Sequence, residues 1–338
     1  MVIVDQIPDL VCPAGSLPAL RSAVDNGANA VYIGFSNTTN ARNFPGLNFD
    51  MDEAQQAVDY AHQKNCKVML ALNTYPQSEN WPLWTQALQS AADLKLDAVI
   101  IADLGLLQYA TKHHPELSRH LSVQGSATNQ YAIAFYYEQF DIKRVILPRV
   151  LSLAQVSNVV EATPIEVEVF GFGSLCVMVE GRCIMSSYVT GESPNTSGVC
   201  SPAHAVSWEE TPNGRQSRLN NVLIDRYQPG EAAGYPTLCK GRFHTGDDIF
   251  YAIEEPTSLN VLEILPQLVN IGVAAIKIEG RQRSPAYIAK VTRIFRTALD
   301  AYKASPDSYQ PDPAWLQQLQ RVSEGCSSTL GALHRPWQ

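Results

Sequence analysis

The chain has 338 residues and a formal net charge of 25 − 33 = −8 at neutral pH. Apolar residues make up 45% of it and charged residues 17%, which supports a full core and excludes a disordered chain. The acidic balance argues against a stand-alone binder of long nucleic acid, because phosphate neutralisation needs clustered Lys and Arg. It leaves room for a small pocket that takes an anionic metabolite.

The opening segment, MVIVDQIPDLVCPAG, has neither a basic n-region nor an apolar h-region, and no run reaches the ~18 apolar residues of a membrane span. A cytoplasmic protein without a transmembrane segment is expected. Leu10–Cys12 then begins a series of short, continuous apolar runs, the pattern of parallel strands buried on both faces. A Gly-Ser turn leads into a helix over Leu17–Asn26, and Ala30–Ile33 reads as the second strand. The next helix, Met51–Lys64, has Asp50 as its N-cap and acidic residues in its first turn. Strands at Lys67–Leu72, Ala98–Ala102, Leu121–Val123, Arg144–Leu147 and Ile165–Phe170 follow. Amphipathic stretches over Trp84–Leu94, Leu104–His114, Asn129–Gln139 and Leu151–Glu161 separate them. Ala274–Ile278 is the eighth strand and Pro285–Lys303 a strong amphipathic helix. Eight alternating pairs predict an α/β fold, a (β/α)8 TIM-like barrel, with an open doubly wound sheet as the alternative because strand count does not show closure.

One interval breaks the rhythm. Residues 171–257 form an insertion between strands seven and eight, rich in turn formers, with hairpin strands expected around Ala205–Glu209 and Ser217–Leu223. It is expected on the C-terminal face, where barrel enzymes carry their chemistry. The predicted organisation is one barrel domain over 1–304 that includes the 171–257 insertion, then a surface extension over 305–338.

Of seven cysteines, four fall inside the insertion, as Cys176-x6-Cys183-x16-Cys200-x38-Cys239. An odd count in a reduced chain argues for metal or free thiols rather than a disulfide framework. Four thiolates hold zinc or an iron–sulfur cluster, and spacing does not decide between them. The absence of C-x2–4-C knuckles and the long, uneven intervals suit a 4Fe-4S cluster gripped from several loops. Cys12, Cys66 and Cys326 read as two buried hydrophobes and a tail residue. There is no P-loop, H-E-x-x-H or G-x-S-x-G motif, and no nucleophile–base pair of the sort peptidase chemistry needs. The strand ends offer other polar groups: Arg42, Asn73, Gln124, Arg149, Lys277, Glu279 and Arg281. In a barrel they converge near the mouth, where the arginines would clamp a carboxylate substrate. Pairing with Asp103, Glu168 or Glu279 to hold the rim is the alternative role for each.

The stretch from Glu168 to Ser186, EVFGFGSLCVMVEGRCIMS, resembles the signature of the collagenase-like peptidase family of unassigned catalytic type. The likeness runs on through CPAGSLPAL, NARNFPGLNF, SVQGSATN, GESPNTSGVCSPA, GYPTLCKGR, EEPTSLN and KIEGRQRSPAY. Despite its name, the resemblance implies an oxygen-independent hydroxylation factor, with prephenate implicated as oxygen source. It further implies action on the aromatic ring of ubiquinone precursors in anaerobic ubiquinone synthesis. The implied partners are a sister protein forming a heterodimer and a lipid-binding accessory protein. The family's 4Fe-4S ligands map onto Cys176, Cys183, Cys200 and Cys239. Hydroxylation of tRNA or rRNA bases is the alternative within the family. A non-catalytic iron–sulfur electron-transfer or scaffold subunit is the alternative outside catalysis, and a true peptidase ranks last.

Overall fold

Short aliphatic runs form the wall of a closed parallel barrel in the computed structural model, which describes residues 7–335. Seven strands come first: β1 (Asp9–Pro13), β2 (Ala30–Ile33), β3 (Lys67–Leu72), β4 (Ala98–Ile101), β5 (Ser118–Leu121), β6 (Arg144–Ile146) and β7 (Glu166–Ser174). Between them run α1 (Leu17–Asp25), α2 (Met51–His62), α3 (Trp81–Asp93), α4 (Leu104–His113), α5 (Gln130–Phe140) and α6 (Leu153–Ala162). Capping places the starts of these helices. Asp50 and Ser152 each form a reciprocal box with the residue three places on, and Asp103 accepts from Leu106 N at 2.8 Å.

The insertion carries two one-turn helices, α7 (Ser187–Thr190) and α8 (Pro194–Ser197). An antiparallel sheet follows, β8 (Val206–Thr211), β9 (Gly214–Leu219) and β10 (Val222–Tyr227), then the hairpin β11 (Phe243–Thr245) and β12 (Asp248–Phe250). The chain returns through β13 (Ser258–Asn260) and α9 (Leu265–Ile271) to β14 (Ala275–Ile278) and the long α10 (Pro285–Ala304). Beyond these lie α11 (Pro313–Gln320) and β15 (Ser328–Thr329).

Closure is settled by β14. It pairs in parallel with both β1 and β7, Ala275 standing opposite Asp9 on one side and Glu168 on the other. The eight-stranded parallel barrel is therefore complete, and the open-sheet alternative falls. Its apolar core lies between the strands and the helices, where Leu20, Leu88 and Phe295 are fully buried.

Three boundaries differ from expectation. β5 begins at Ser118, three residues before the predicted strand, because Arg119 and His120 interrupt its apolar pattern. Arg119 is buried and donates from Nε to Phe140 O at 2.9 Å, satisfying the C-terminal end of α5. β7 runs on through Gly171–Ser174, where β13 pairs antiparallel with it, so the insertion proper spans 175–257. The segment from 305 onward is not a simple surface extension. Leu319 is fully buried, and β15 adds to β13 at the barrel rim.

Candidate functional site at the barrel mouth

Seven polar residues from the ends of five strands and the loops after them face one cavity of about 90 Å³, well above the ~10–15 Å³ that one water needs. Arg42, Asn73, Gln124, Arg149, Lys277, Glu279 and Arg281 all line it, together with Tyr32, Phe170 and Glu180. All seven sequence-selected candidates therefore come together. Asp103 does not join them, since it serves as the N-cap of α4.

Glu279 is the hub. Its Oε2 accepts from Arg149 Nη1 at 2.8 Å and Ser174 N at 2.9 Å, and its Oε1 lies 3.4 Å from Arg42 Nη2. Burial alone would raise its carboxyl pKa, but Arg149 and Arg42 outweigh that and hold it below the ordinary value. Arg149 donates from Nε to Glu180 Oε1 at 2.7 Å, and its guanidinium stands 4.4 Å from the Phe170 ring. Burial works against its charge, yet Glu279 and Glu180 keep its pKa above the usual arginine value. Arg42 donates from Nη1 to Gly198 O at 2.7 Å, joining the second barrel loop to the insertion.

Lys277 points into the barrel. Its Nζ donates to the fully buried Glu168 at 2.8 Å and sits 3.9 Å from the Tyr32 ring. Burial lowers its pKa, with Glu168 opposing. Glu168 in turn accepts from Arg144 Nη1 at 3.1 Å, so the ionic chain continues below the cavity. Arg281 differs from the other three cations. Its Nη1 donates to Asn40 Oδ1 at 2.9 Å, and among the described residues it is salt-bridged to no carboxylate, unlike Arg42, Arg149 and Lys277. Burial pushes its pKa down to about 10. Four cations and two carboxylates line the cavity, an excess of 4 − 2 = +2. Such a mouth is suited to an anion, with Arg281 as the cation not already matched by a carboxylate. Gln124 Oε1 and Glu180 Oε2 are buried without partners, so the cavity holds further unused hydrogen-bonding capacity.

Above this mouth lie the cysteines. Cys176 follows β7 directly, while Cys183, Cys200 and Cys239 come from later turns of the insertion, and all four are half-buried free thiols. They share one electrostatic neighbourhood: Cys200 acts on Cys176, and Cys183 acts on Cys200 and Cys239. Burial pushes the thiol pKa up at Cys176, Cys200 and Cys239, to about 12 at Cys239. Thiolates there require added positive charge, which a metal centre supplies on binding. Among the described residues no three His, Cys, Asp or Glu side chains close around a point fit for one metal ion. A four-iron cluster takes one thiolate per iron, so its ligands need not converge on a point. The donor set fits that group. Cys12 and Cys66 are core residues, and Cys326 is exposed.

The lid is fastened from outside the insertion. Lys240, next to Cys239, donates from Nζ to Glu324 Oε2 at 2.6 Å and to Ser174 Oγ at 2.8 Å. Glu180, Ser174, Lys240 and Glu324 were not singled out by the sequence reading. Glu180 carried the one available signal, a carboxylate following an apolar Val-Met-Val run between two of the cysteines. Lys240 and Glu324 lie 84 residues apart and carried none.

The fold and site define a class: a parallel α/β barrel with a cation-rich mouth beneath a cysteine-bearing insertion. The chain belongs to Peptidase family U32, whose model matches residues 15–334. It is 28% identical over 330 residues to "tRNA hydroxylation protein P1" of Bacillus subtilis, covering 97% of this chain and 71% of that one. It is 30% identical over 314 residues to "tRNA hydroxylation protein P" of Escherichia coli, covering 87% and 68%. The "23S rRNA 5-hydroxycytidine C2501 synthase" of Escherichia coli is 26% identical over 87% of this chain and 39% of that protein.

Proposed function

We propose that the chain is an oxygen-independent hydroxylase subunit acting on the aromatic ring of ubiquinone precursors, with a carboxylated donor such as prephenate supplying the oxygen. The observation that carries this reading is the mouth, where a positive excess, including Arg281 with no carboxylate partner among the described residues, stands beneath four neighbouring thiols. It is supported by the hydroxylation functions named for relatives and by the resemblance to the ubiquinone biosynthesis protein UbiU. In net terms a ring carbon exchanges C–H for C–OH, and the donor gives up its hydroxyl and takes the hydrogen.

Arg281 and Arg42 bind the donor carboxylate, and Glu279 sets the angle of Arg42 and Arg149 around it. Asn73 spends its Oδ1 on Ala41 N at 3.0 Å, shaping the loop that carries Arg42. Gln124 offers a free acceptor. Lys277, held by Glu168, keeps a proton at the cavity floor beside the donor. A 4Fe-4S cluster on Cys176, Cys183, Cys200 and Cys239 supplies one-electron chemistry when bound. A UbiV-like sister subunit forms the heterodimer, and a lipid-binding accessory protein presents the polyprenyl substrate in the cytoplasm. No helix among the described residues is long and apolar enough to cross a membrane.

Hydroxylation of a tRNA or rRNA base is the second reading, favoured by the names of the relatives. The net charge of −8 counts against it. Anaerobic purification with the sister subunit separates the two. The proposal expects a brown protein with about four irons per chain that hydroxylates a polyprenylphenol when prephenate is added. Hydroxylated RNA with an untouched phenol would favour the second reading. A colourless, zinc-loaded protein would refute the proposal.

A further inference from the structure

Arg281 keeps its charge without a carboxylate, and a neutral group stands where one is expected. The residue is only 5% exposed, and a guanidinium so far from water is costly unless it is paired. Arg42, Arg149 and Lys277 each have a carboxylate oxygen within 3.4 Å. Arg281 instead donates from Nη1 to the side-chain amide of Asn40, whose Oδ1 lies 2.9 Å away. The Tyr32 ring, its centroid 5.8 Å from the guanidinium carbon, adds a weak attraction. Neither partner brings a countercharge.

The contact is built into the loop after β2. Asn40 is buried there, and its Oδ1 also accepts from Arg42 N at 2.9 Å, so one neutral oxygen fixes the spacing of two arginines. On its other side, Nδ2 donates to Phe35 O at 2.5 Å. A carbonyl facing one end and two N–H groups facing the other admit a single orientation of the amide. A carboxylate in its place would turn an oxygen toward the Phe35 carbonyl. Gly34 makes the room: a Cβ there would stand 2.5 Å from Arg281 Nη1 and 2.6 Å from Asn40 Cγ. Among the described residues Nε and Nη2 of Arg281 make no hydrogen bond, yet neither is among the sealed atoms without a partner. Both therefore open onto the cavity that Arg281 lines.

We infer that Asn40 is a specificity-determining residue of the mouth: a neutral amide in the place of a countercharge, it leaves the Arg281 charge to the ligand and sets a preference for dianions over monoanions. Four cations against two carboxylates give the lining its 4 − 2 = +2 excess, and an acid at position 40 would halve it. The inference rests on the hydroxylase reading only in taking the mouth as an anion site, and it deepens that reading by naming the residue that sorts anions by charge.

Charge selectivity tests it, because a merely structural role would not move it. Malonate, a dianion, and malonamate, its monoamide of the same size, are titrated into the full chain at neutral pH by calorimetry. The ratio of their dissociation constants is the readout. Wild type is expected to prefer malonate. Asn40→Asp should cut that preference roughly tenfold, since one negative charge is added within hydrogen-bond reach of the guanidinium. Asn40→Ser gives up the Nδ2 contact without adding charge, so it should weaken both anions and keep the ratio. Should Asn40→Asp not fold, Arg281→Gln removes one positive charge with the amide in place and must collapse the ratio by itself. No preference in wild type, a ratio unchanged in the charge variant, or an equal collapse in Asn40→Ser overturns the inference. The failures separate from those of the reaction. Prephenate without affinity for a wild type that sorts the two malonates as described removes the donor and leaves Asn40 standing. Prephenate bound equally by wild type and Asn40→Asp removes Asn40 and leaves the donor.

Discussion

Replacing Glu324 by glutamine takes the countercharge from a lysine that is almost out of contact with water. Lys240 and Glu324 are 3% and 6% exposed, with Nζ and Oε2 2.6 Å apart. Leaving a buried cation unpaired costs about 3–5 kcal/mol, several times the ~1 kcal/mol of one neutral hydrogen bond. Lys240 follows Cys239 directly, and Ser174, which donates from Oγ to Glu324 Oε2 at 2.9 Å, ends β7. The loss therefore falls on the joint between insertion and barrel. Urea unfolding followed by circular dichroism is expected to lose about 3–5 kcal/mol in Glu324→Gln. The double variant Lys240→Met/Glu324→Met should recover most of it, because two apolar chains of similar length replace a buried ion pair at little net cost. A single variant within about 1 kcal/mol of wild type, with no recovery in the double, would refute the claim that this pair fastens the lid.

Cys200→Ser and Cys239→Ser are expected to strip most of the iron from anaerobically purified protein while Cys326→Ser retains it, as read by iron analysis and the visible spectrum. Arg281→Ala should weaken a carboxylated donor by roughly ten- to a hundredfold in calorimetry; unchanged affinity would remove Arg281 from the site. His120 is buried, and burial first, then Arg144, Lys277 and Lys67 against an opposing Glu168, pushes its pKa from 6.5 down to about 3. The unfolded chain therefore takes up this proton first on acidification, and stability falls from about pH 6.5 toward pH 3 by at most ~1.4 kcal/mol per unit. His120→Asn should flatten that slope in urea titrations across the window, and an identical slope would place the acid sensitivity elsewhere.

The barrel was legible because parallel strands covered on both faces write themselves as continuous apolar runs, and β2 and β3 match their predicted bounds residue for residue. β5 was misplaced by the same logic, since Arg119 and His120 are buried by virtue of partners that sequence periodicity does not record. The mouth was legible as a set of strand-end polar residues, because a closed barrel brings those ends together whatever the loops do. Who pairs with whom was not. Arg42 meets Glu279 across 237 positions. Likewise β13 and β15, three and two residues long, are too short to carry a pattern of their own and exist only through each other and β7.

Ser174 ties the mouth to the lid. Its N–H donates to Glu279, its carbonyl accepts from Arg149, and its hydroxyl lies between Lys240 and Glu324. It is the last residue of β7 and stands two positions before Cys176. The same serine hydroxyl fixes the lysine beside Cys239, so the first and last cysteines are referred to a single residue on a rigid strand. The mouth and the cysteine-bearing insertion therefore share one anchoring residue, Ser174.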